Sequence, residues 1–223
     1  MSATILAFDS AGAAVSAALC RGGVALAARS EPMERGHGER LLPLLKAVMA
    51  EAATGFDALD AIAVAVGPGR FTGLRIGVAA ARGLALATGK PAIGIGSFEA
   101  AAAAALAEGP ARSAILVAID SRREELFVQL FDRAGEAVGA PLVATPDAIA
   151  ATLPAGALLV TGDGARLMER ALAGRGDVRI LAAALRPEIL ARRAEAALRQ
   201  GHMEPARPIY LRAPDAKLPA PPP

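Results

Sequence analysis

Asp9-Ser10-Ala11-Gly12, near the start of the 223-residue chain, sets a carboxylate and a hydroxyl beside a glycine where a short apolar run ends. Such a pair can stand near a phosphate and its metal, and the same residues make an ordinary turn; both readings are open. The richest stretch is Gly67-Pro68-Gly69-Arg70-Phe71-Thr72-Gly73-Leu74-Arg75-Ile76-Gly77. It leaves a buried-strand pattern and opens a helix, so backbone N–H groups there, with Thr72 and Arg70 or Arg75 beside them, could hold an anion. The stretch matches neither the P-loop nor the dinucleotide fingerprint, because it lacks a terminal Gly-Lys-Ser and has the wrong glycine spacing. Gly162-Asp163-Gly164-Ala165 follows the apolar run LLVT and precedes a helical pattern. As a bare pattern it reads as a turn into a helix.

Other chemistry-bearing residues are sparse. The two histidines, His37 and His202, lie far apart with no cysteine cluster near either, so no metal site of recognisable ligand spacing can be built from His and Cys. His37, between two glycines, has no nucleophile or carboxylate fixed beside it and reads as a loop residue. Cys20 is the single cysteine, which excludes an intramolecular disulfide and fits a small core residue. Arg122, Arg123, Glu124 and Glu125 read as a solvated hairpin tip.

The elements that position these groups follow from hydrophobic spacing. Thr4 to Phe8, Ala13 to Leu19 and Val24 to Ala28 predict three strands, the last two joined at Arg21-Gly22-Gly23. A helix starts just after Gly36-His37-Gly38 and carries Leu41, Leu42, Leu44, Leu45, Val48 and Met49, with Pro43 tolerable only near its beginning. Asp60 to Val66 predicts a buried strand, Thr72 to Thr88 a second helix, Ala92 to Ile95 a strand, and Ser97 caps an alanine-rich helix to about Glu108. Gly109-Pro110 is the boundary candidate. Beyond it come strands at Ala114 to Ile119 and Leu126 to Phe131, then DAIAATL, LLVTGDGA, LMERALAG and a helix over about Pro187 to Gln200 in alternation. The plan divides into a first lobe, 1–108, a smaller second lobe, 109–213, and a proline-rich tail, 214–223. The first lobe is expected to bury enough surface to be stable alone.

Gly69, Gly73, Gly77, Ala81, Ala85 and Gly89 recur every fourth residue, which lays the smallest side chains along one face of the second helix. Helical glycine costs roughly 1 kcal/mol against alanine, so close approach of another backbone is expected. That backbone is either the chain's own or a partner's. The first helix favours a partner, since its apolar positions spread beyond a single stripe. The chain is 54% hydrophobic and carries 24 basic against 22 acidic residues, a net charge of +2, too small for an electrostatic footprint on nucleic acid. No uncharged run reaches the ~18 residues of a membrane span, and MSATILAFDS has no secretion signal, so a cytoplasmic location is expected. The alanine excess outside the second helix reads as genome composition.

ILAFDS, HGERLLPLLKAVM, GPGRFTGLRIG, GIGSFEAAAAA and PIYLR, in this order and spacing, make the chain similar to the TsaB (YeaZ) family. The similarity runs from Thr4 to Arg212, and Arg70 replaces the usual serine of the family's GPGSFTGLRIG. The resemblance implies an α/β fold of the actin-like, Hsp70 and sugar-kinase (ribonuclease-H-like) superfamily, in two lobes with mixed sheets and the second lobe reduced. It also implies a non-catalytic subunit that pairs with TsaD, joins TsaE in an ATP-using assembly, and supports threonylcarbamoyl transfer to the adenosine beside the anticodon of tRNA. TsaD carries a metal-binding His-x-x-x-His whose matching positions here are Ser97 and Ala101, so no metal is expected. The expected partner face holds Leu41, Leu42, Leu45, Gly69, Gly73, Gly77 and Ala81, with a homodimer when TsaD is absent. Anion or nucleotide contacts would fall on Asp9, Ser10, Arg70, Thr72, Gly162 and Gly164. No cofactor is expected on this chain alone, ATP or ADP would sit at the complex interface, and tRNA would be held mainly by the partner. The alternative is a stand-alone ATP-dependent small-molecule kinase of the same superfamily, which needs a general base and two intact phosphate loops.

Overall fold

A computed structural model describes residues 2–108 and 113–212; the Gly109-Pro110 boundary and the 214–223 tail lie outside the described residues. The first half runs β1 (Thr4–Asp9), β2 (Ala14–Arg21), β3 (Val24–Pro32), α1 (His37–Glu51), β4 (Ala61–Gly67), α2 (Phe71–Thr88), β5 (Ala92–Gly96) and α3 (Ser97–Ala107). The second runs β6 (Ala114–Asp120), β7 (Leu126–Phe131), β8 (Ala137–Ala144), α4 (Pro146–Thr152), β9 (Leu158–Gly162), β10 (Val178–Ala182) and α5 (Pro187–Gln200). The first sheet has the order β3-β2-β1-β4-β5 and the second β8-β7-β6-β9-β10. In each, the opening strand pairs antiparallel with its successor and parallel with the strand reached through the helical connection. One topology is thus used twice, and the reduction of the second half lies in its helices, not its strands.

Several sequence expectations shift. The first helix begins at His37 instead of after Gly38. Ser97 is the first helical residue of α3 and makes no capping hydrogen bond, its N-cap being Gly96. LMERALAG is no α-helix: Ala165–Met168 forms a short 3-10 turn followed by further turns. β8 and β10, unforeseen, are the edge strands of the second sheet.

The cores do not respect chain order. Leu41, Leu44, Leu45 and Val48 of α1 and Val78 and Ala81 of α2 pack with Leu6, Phe8 and Val64 on one face of the first sheet. The other face, Ile5, Ala7, Ala18, Cys20, Ala63 and Ile93, is covered by Ile189, Leu190, Ala191 and Ala194 of α5, a helix from the chain's second half. Residues 1–108 by themselves would lack the α5 part of that cover, which weighs against a self-sufficient first lobe. α3 is packed on both sides. Phe98, Ala101, Ala102 and Ala105 meet Ile115, Val117, Phe127 and Phe131 of the second sheet, while Ala100, Ala103 and Ala104 meet the first-sheet and α5 cluster. A helix packed on both sides favours small side chains along most of its length, so these alanines have a packing cause that genome composition does not supply.

Candidate functional site

Between the lobes, the ends of β1 and β9 bring two carboxylates together. Asp9 is fully buried; desolvation raises its carboxyl to about 6, opposed by a 2.8 Å hydrogen bond from the Ala11 amide and reinforced by the nearby Asp163. Asp163 is raised chiefly by its own burial and accepts a 3.0 Å bond from the Asp120 amide. A Cβ on Gly12 would lie 3.2 Å from one Asp9 oxygen and 3.9 Å from one of Asp163, so this glycine is the wall between them. The cavity they line, with Ser97 and Ala101, holds about 40 Å³, which admits a few waters. A nucleotide needs several hundred.

The other predicted contact residues part company. A Cβ on Gly164 would lie 2.8 Å from the Asp120 amide nitrogen, and one on Gly162 would strike the Ala118 carbonyl, so both glycines are there for the chain's own β6. No α-helix follows them to present free amides. Ser10 is buried and its hydroxyl donates to the Gly73 carbonyl at 2.8 Å, tying the end of β1 to the first turn of α2. Ser10, Arg70 and exposed Thr72 line a different, outer cleft of about 530 Å³, opposite His37 of α1 and Arg122 of the β6–β7 turn. Sequence reasoning missed His37 and Arg122 as members of this group. Arg122, far from being only a solvated tip, sits at φ 62° with its amide donating to Asp120 at 2.7 Å and its guanidinium 3.5 Å from the same carboxylate.

The stripe on α2 faces inward. A Cβ on Gly73 would fall on the Ser10 carbonyl oxygen and 2.9 Å from Ala11 Cα; one on Gly77 would lie 2.8 Å from Ser10 Oγ, and one on Gly69 2.9 Å from Ala11 Cβ. Ala81 is buried in the core, as are Leu41 and Leu45. Six of the seven residues expected on a partner face therefore serve internal packing, because the β1–β2 turn is the backbone that approaches α2. Leu42 alone keeps a large exposed surface, at 50%. The outward side of α2 carries what the stripe did not: Leu86, 89% exposed, beside exposed Ala79, Gly83 and Ala87. α1 and α2 adjoin where a Cβ on Gly38 would lie 3.5 Å from the Ile76 side chain. A second exposed group surrounds the start of α2, where Arg75 lies 3.9 Å over the Phe71 ring and donates to the Tyr210 hydroxyl at 3.1 Å. Tyr210 belongs to a segment whose Ile209 amide donates to Val66 at 2.7 Å, a contact across the end of β4.

A family model, TsaD: tRNA N6-adenosine threonylcarbamoyltransferase, matches residues 30–161. The Escherichia coli protein named tRNA threonylcarbamoyladenosine biosynthesis protein TsaB is 36% identical over 129 residues, 58% of this chain and 55% of its own length. The match therefore spans about half the length of such relatives. The solved structure of YeaZ from Pseudomonas aeruginosa superposes with a TM-score of 0.79 at 31% identity, covering 94% of this chain and all of that one. Component A of (R)-2-hydroxyglutaryl-CoA dehydratase from Acidaminococcus fermentans, at 9% identity and a TM-score of 0.54, shares the fold alone. The duplicated five-stranded topology makes two α/β lobes with mixed sheets, a fold shared with that component. With YeaZ matched end to end and more than half of the chain matched by the TsaD model, this protein belongs to the TsaB (YeaZ) family.

Proposed function

We propose that this protein is a non-catalytic subunit of the machinery that makes threonylcarbamoyladenosine in tRNA, pairing with TsaD through the outward faces of α1 and α2. The observations that carry the pairing are the exposed Leu86, Ala79, Gly83 and Ala87 on the outward side of α2 and the exposed Leu42 on α1. A leucine 89% exposed on a well-packed helix, among side chains small enough for another helix to approach, is the kind of surface a partner covers. Two such helices from each subunit form a four-helix interface, and a second copy of this chain takes TsaD's place when TsaD is absent. TsaE joins the pair in an ATP-using assembly, ATP or ADP is held at the complex interface, and the partner provides most tRNA contacts in the cytoplasm.

The non-catalytic role is supported by the inter-lobe cavity. It is too small for a nucleotide, and Ser97 and Ala101 line it where a His-x-x-x-His would stand in TsaD. The same cavity weighs against a stand-alone kinase. The test is size-exclusion chromatography of TsaD with the Leu42→Glu, Leu86→Glu double variant. The variant should stay folded, because both side chains are exposed, and should elute apart from TsaD. Co-elution equal to that of the wild type would refute the assigned face. Nucleoside analysis of tRNA from cells depleted of this protein tests the pathway: undiminished threonylcarbamoyladenosine, or ATP turnover by the purified chain alone, would overturn the reading.

A further inference from the structure

Where the two lobes meet, oxygen atoms gather and no positive charge answers them. Asp9 ends β1 in the first lobe and Asp163 follows β9 in the second, and one carboxylate oxygen of each lies 3.2 and 3.9 Å from a single point, the position a Cβ on Gly12 would take. Both line the inter-lobe cavity together with Ser16 and Ser97, which are 3% and 4% exposed. The two hydroxyls make no hydrogen bond among the described residues and are not sealed into the packing, so they are open to whatever the cavity holds. Among the described residues no lysine, arginine or histidine lines this cavity; Arg70 and Arg122 open on the outer cleft instead. Two buried carboxylates without a cation are costly, and two hydroxyls without partners add to the cost.

We propose that a divalent cation of the magnesium type binds in this cavity, held by one oxygen each of Asp9 and Asp163, with the Ser16 and Ser97 hydroxyls and water completing its shell. The donors are all oxygens, which suits a hard ion and not zinc or iron with their preference for imidazole and thiolate. No third carboxylate, and no histidine or cysteine, joins the pair among the described residues, so the other positions fall to hydroxyls and water. Magnesium is bound in that manner, by one or two carboxylates with several waters retained. The cavity of about 40 Å³ has room for an ion with a few waters, at roughly 10–15 Å³ for each. Gly12 makes the place, since its missing side chain leaves open the point that both carboxylates share. Its backbone is outside the left-handed region, so an alanine would fill that point without strain in φ. Because Asp9 and Asp163 come from different sheets, the bound ion ties one lobe to the other. The expected absence of metal followed from missing histidines, which an oxygen-lined site does not require. This site is independent of the subunit reading and is tested on the chain alone.

Isothermal titration calorimetry of the full chain, stripped with EDTA and dialysed, is the test, with MgCl2 as titrant and NaCl of equal ionic strength as the control. Magnesium should bind saturably at one site per chain, and sodium should not. The melting temperature should rise with magnesium along the same saturation curve, as it must for an ion held by the folded state alone. Asp9→Asn and Asp163→Asn should each weaken binding by roughly tenfold or more, at least the scale of losing an outer-shell partner of a metal. Gly12→Ala keeps both carboxylates and should weaken binding as much by occupying the shared point, an effect that loose attraction of magnesium to acidic surface would not show. Circular dichroism of each variant separates lost binding from lost folding, and Asp163→Asn alone suffices if Gly12→Ala does not fold. Absence of saturable magnesium binding in both calorimetry and melting, or wild-type affinity in any folded one of these variants, would overturn the proposal.

Discussion

Replacing Asp9 by asparagine should stabilise the protein at neutral pH. The Asp9 carboxyl ionises at 3.8 in an unstructured chain and at about 6 in the folded one, because burial, and then the proximity of Asp163, disfavour its charge. A group whose folded value is the higher holds its proton more tightly when folded. It therefore costs nothing below pH 4, where both states are protonated. The cost grows as pH rises from 4 to 6 and is fully present above that window. The interval corresponds to about 3 kcal/mol. Asparagine keeps the oxygen that accepts the Ala11 amide, removes the charge, and places an NH2 where it can donate toward Asp163. At pH 7.5 the Asp9→Asn protein should be more stable by up to ~3 kcal/mol, a rise in melting temperature of roughly 6–12 °C for a chain of this size. Urea unfolding at half-unit steps from pH 4 to pH 8 is the assay. The wild type should lose stability across the window relative to the variant, and the two should converge near pH 4. A variant less stable than wild type at pH 7.5, or curves running parallel throughout, would refute the picture of a buried, uncompensated carboxylate.

Other consequences of the packing can be measured as directly. Gly73→Ala should lower stability by about 3 kcal/mol in spite of alanine's better helix propensity, since the new methyl meets the Ser10 carbonyl; an unchanged melting temperature would show that the turn yields. Leu41→Ala should cost 2–5 kcal/mol and its neighbour Leu42→Ala within about 0.5 kcal/mol, because the first is in the core and the second half exposed; equal effects in denaturant unfolding would contradict that orientation of α1. The Cys20 thiol, buried and pushed up to about 11 by desolvation, should resist Ellman's reagent at pH 8 until denaturant is added.

Much of the architecture could be read from local pattern. Pro187 and Gly201 bracket α5, and Gly89 stops α2, so those limits were visible as punctuation. β8 escaped because an edge strand with every residue at least partly exposed has no buried face to impose alternation, and Gly139 at φ 72° interrupts it further. β10, the opposite edge of the same sheet, is short and only partly buried. The four-residue spacing of small side chains correctly announced a close backbone, but which backbone could not be known: Ser10 lies 63 residues from Gly73 and nothing local links them. The outer cleft was hidden for the same reason. His37, Arg70 and Arg122 come from three separate segments, and only the folded chain shows that His37 Nε2 and Arg70 Nε and Nη1 are buried without hydrogen-bond partners. The Gly-His-Gly sequence was the one local sign, a histidine placed where the backbone turns into a helix.

The position of α5 governs when this protein can finish folding during its synthesis. The apolar face of β1, β2 and β4 is complete once residues 1–108 have been made, yet its cover, Ile189 to Ala194, is synthesised only after the whole second sheet. Throughout translation of the second sheet that face waits uncovered, at a pace of about 5–20 residues per second, so for some seconds the nascent chain presents a sticky surface suited to a chaperone. A truncation that removes α5 would then leave a protein unable to close its first sheet, not merely a shorter one.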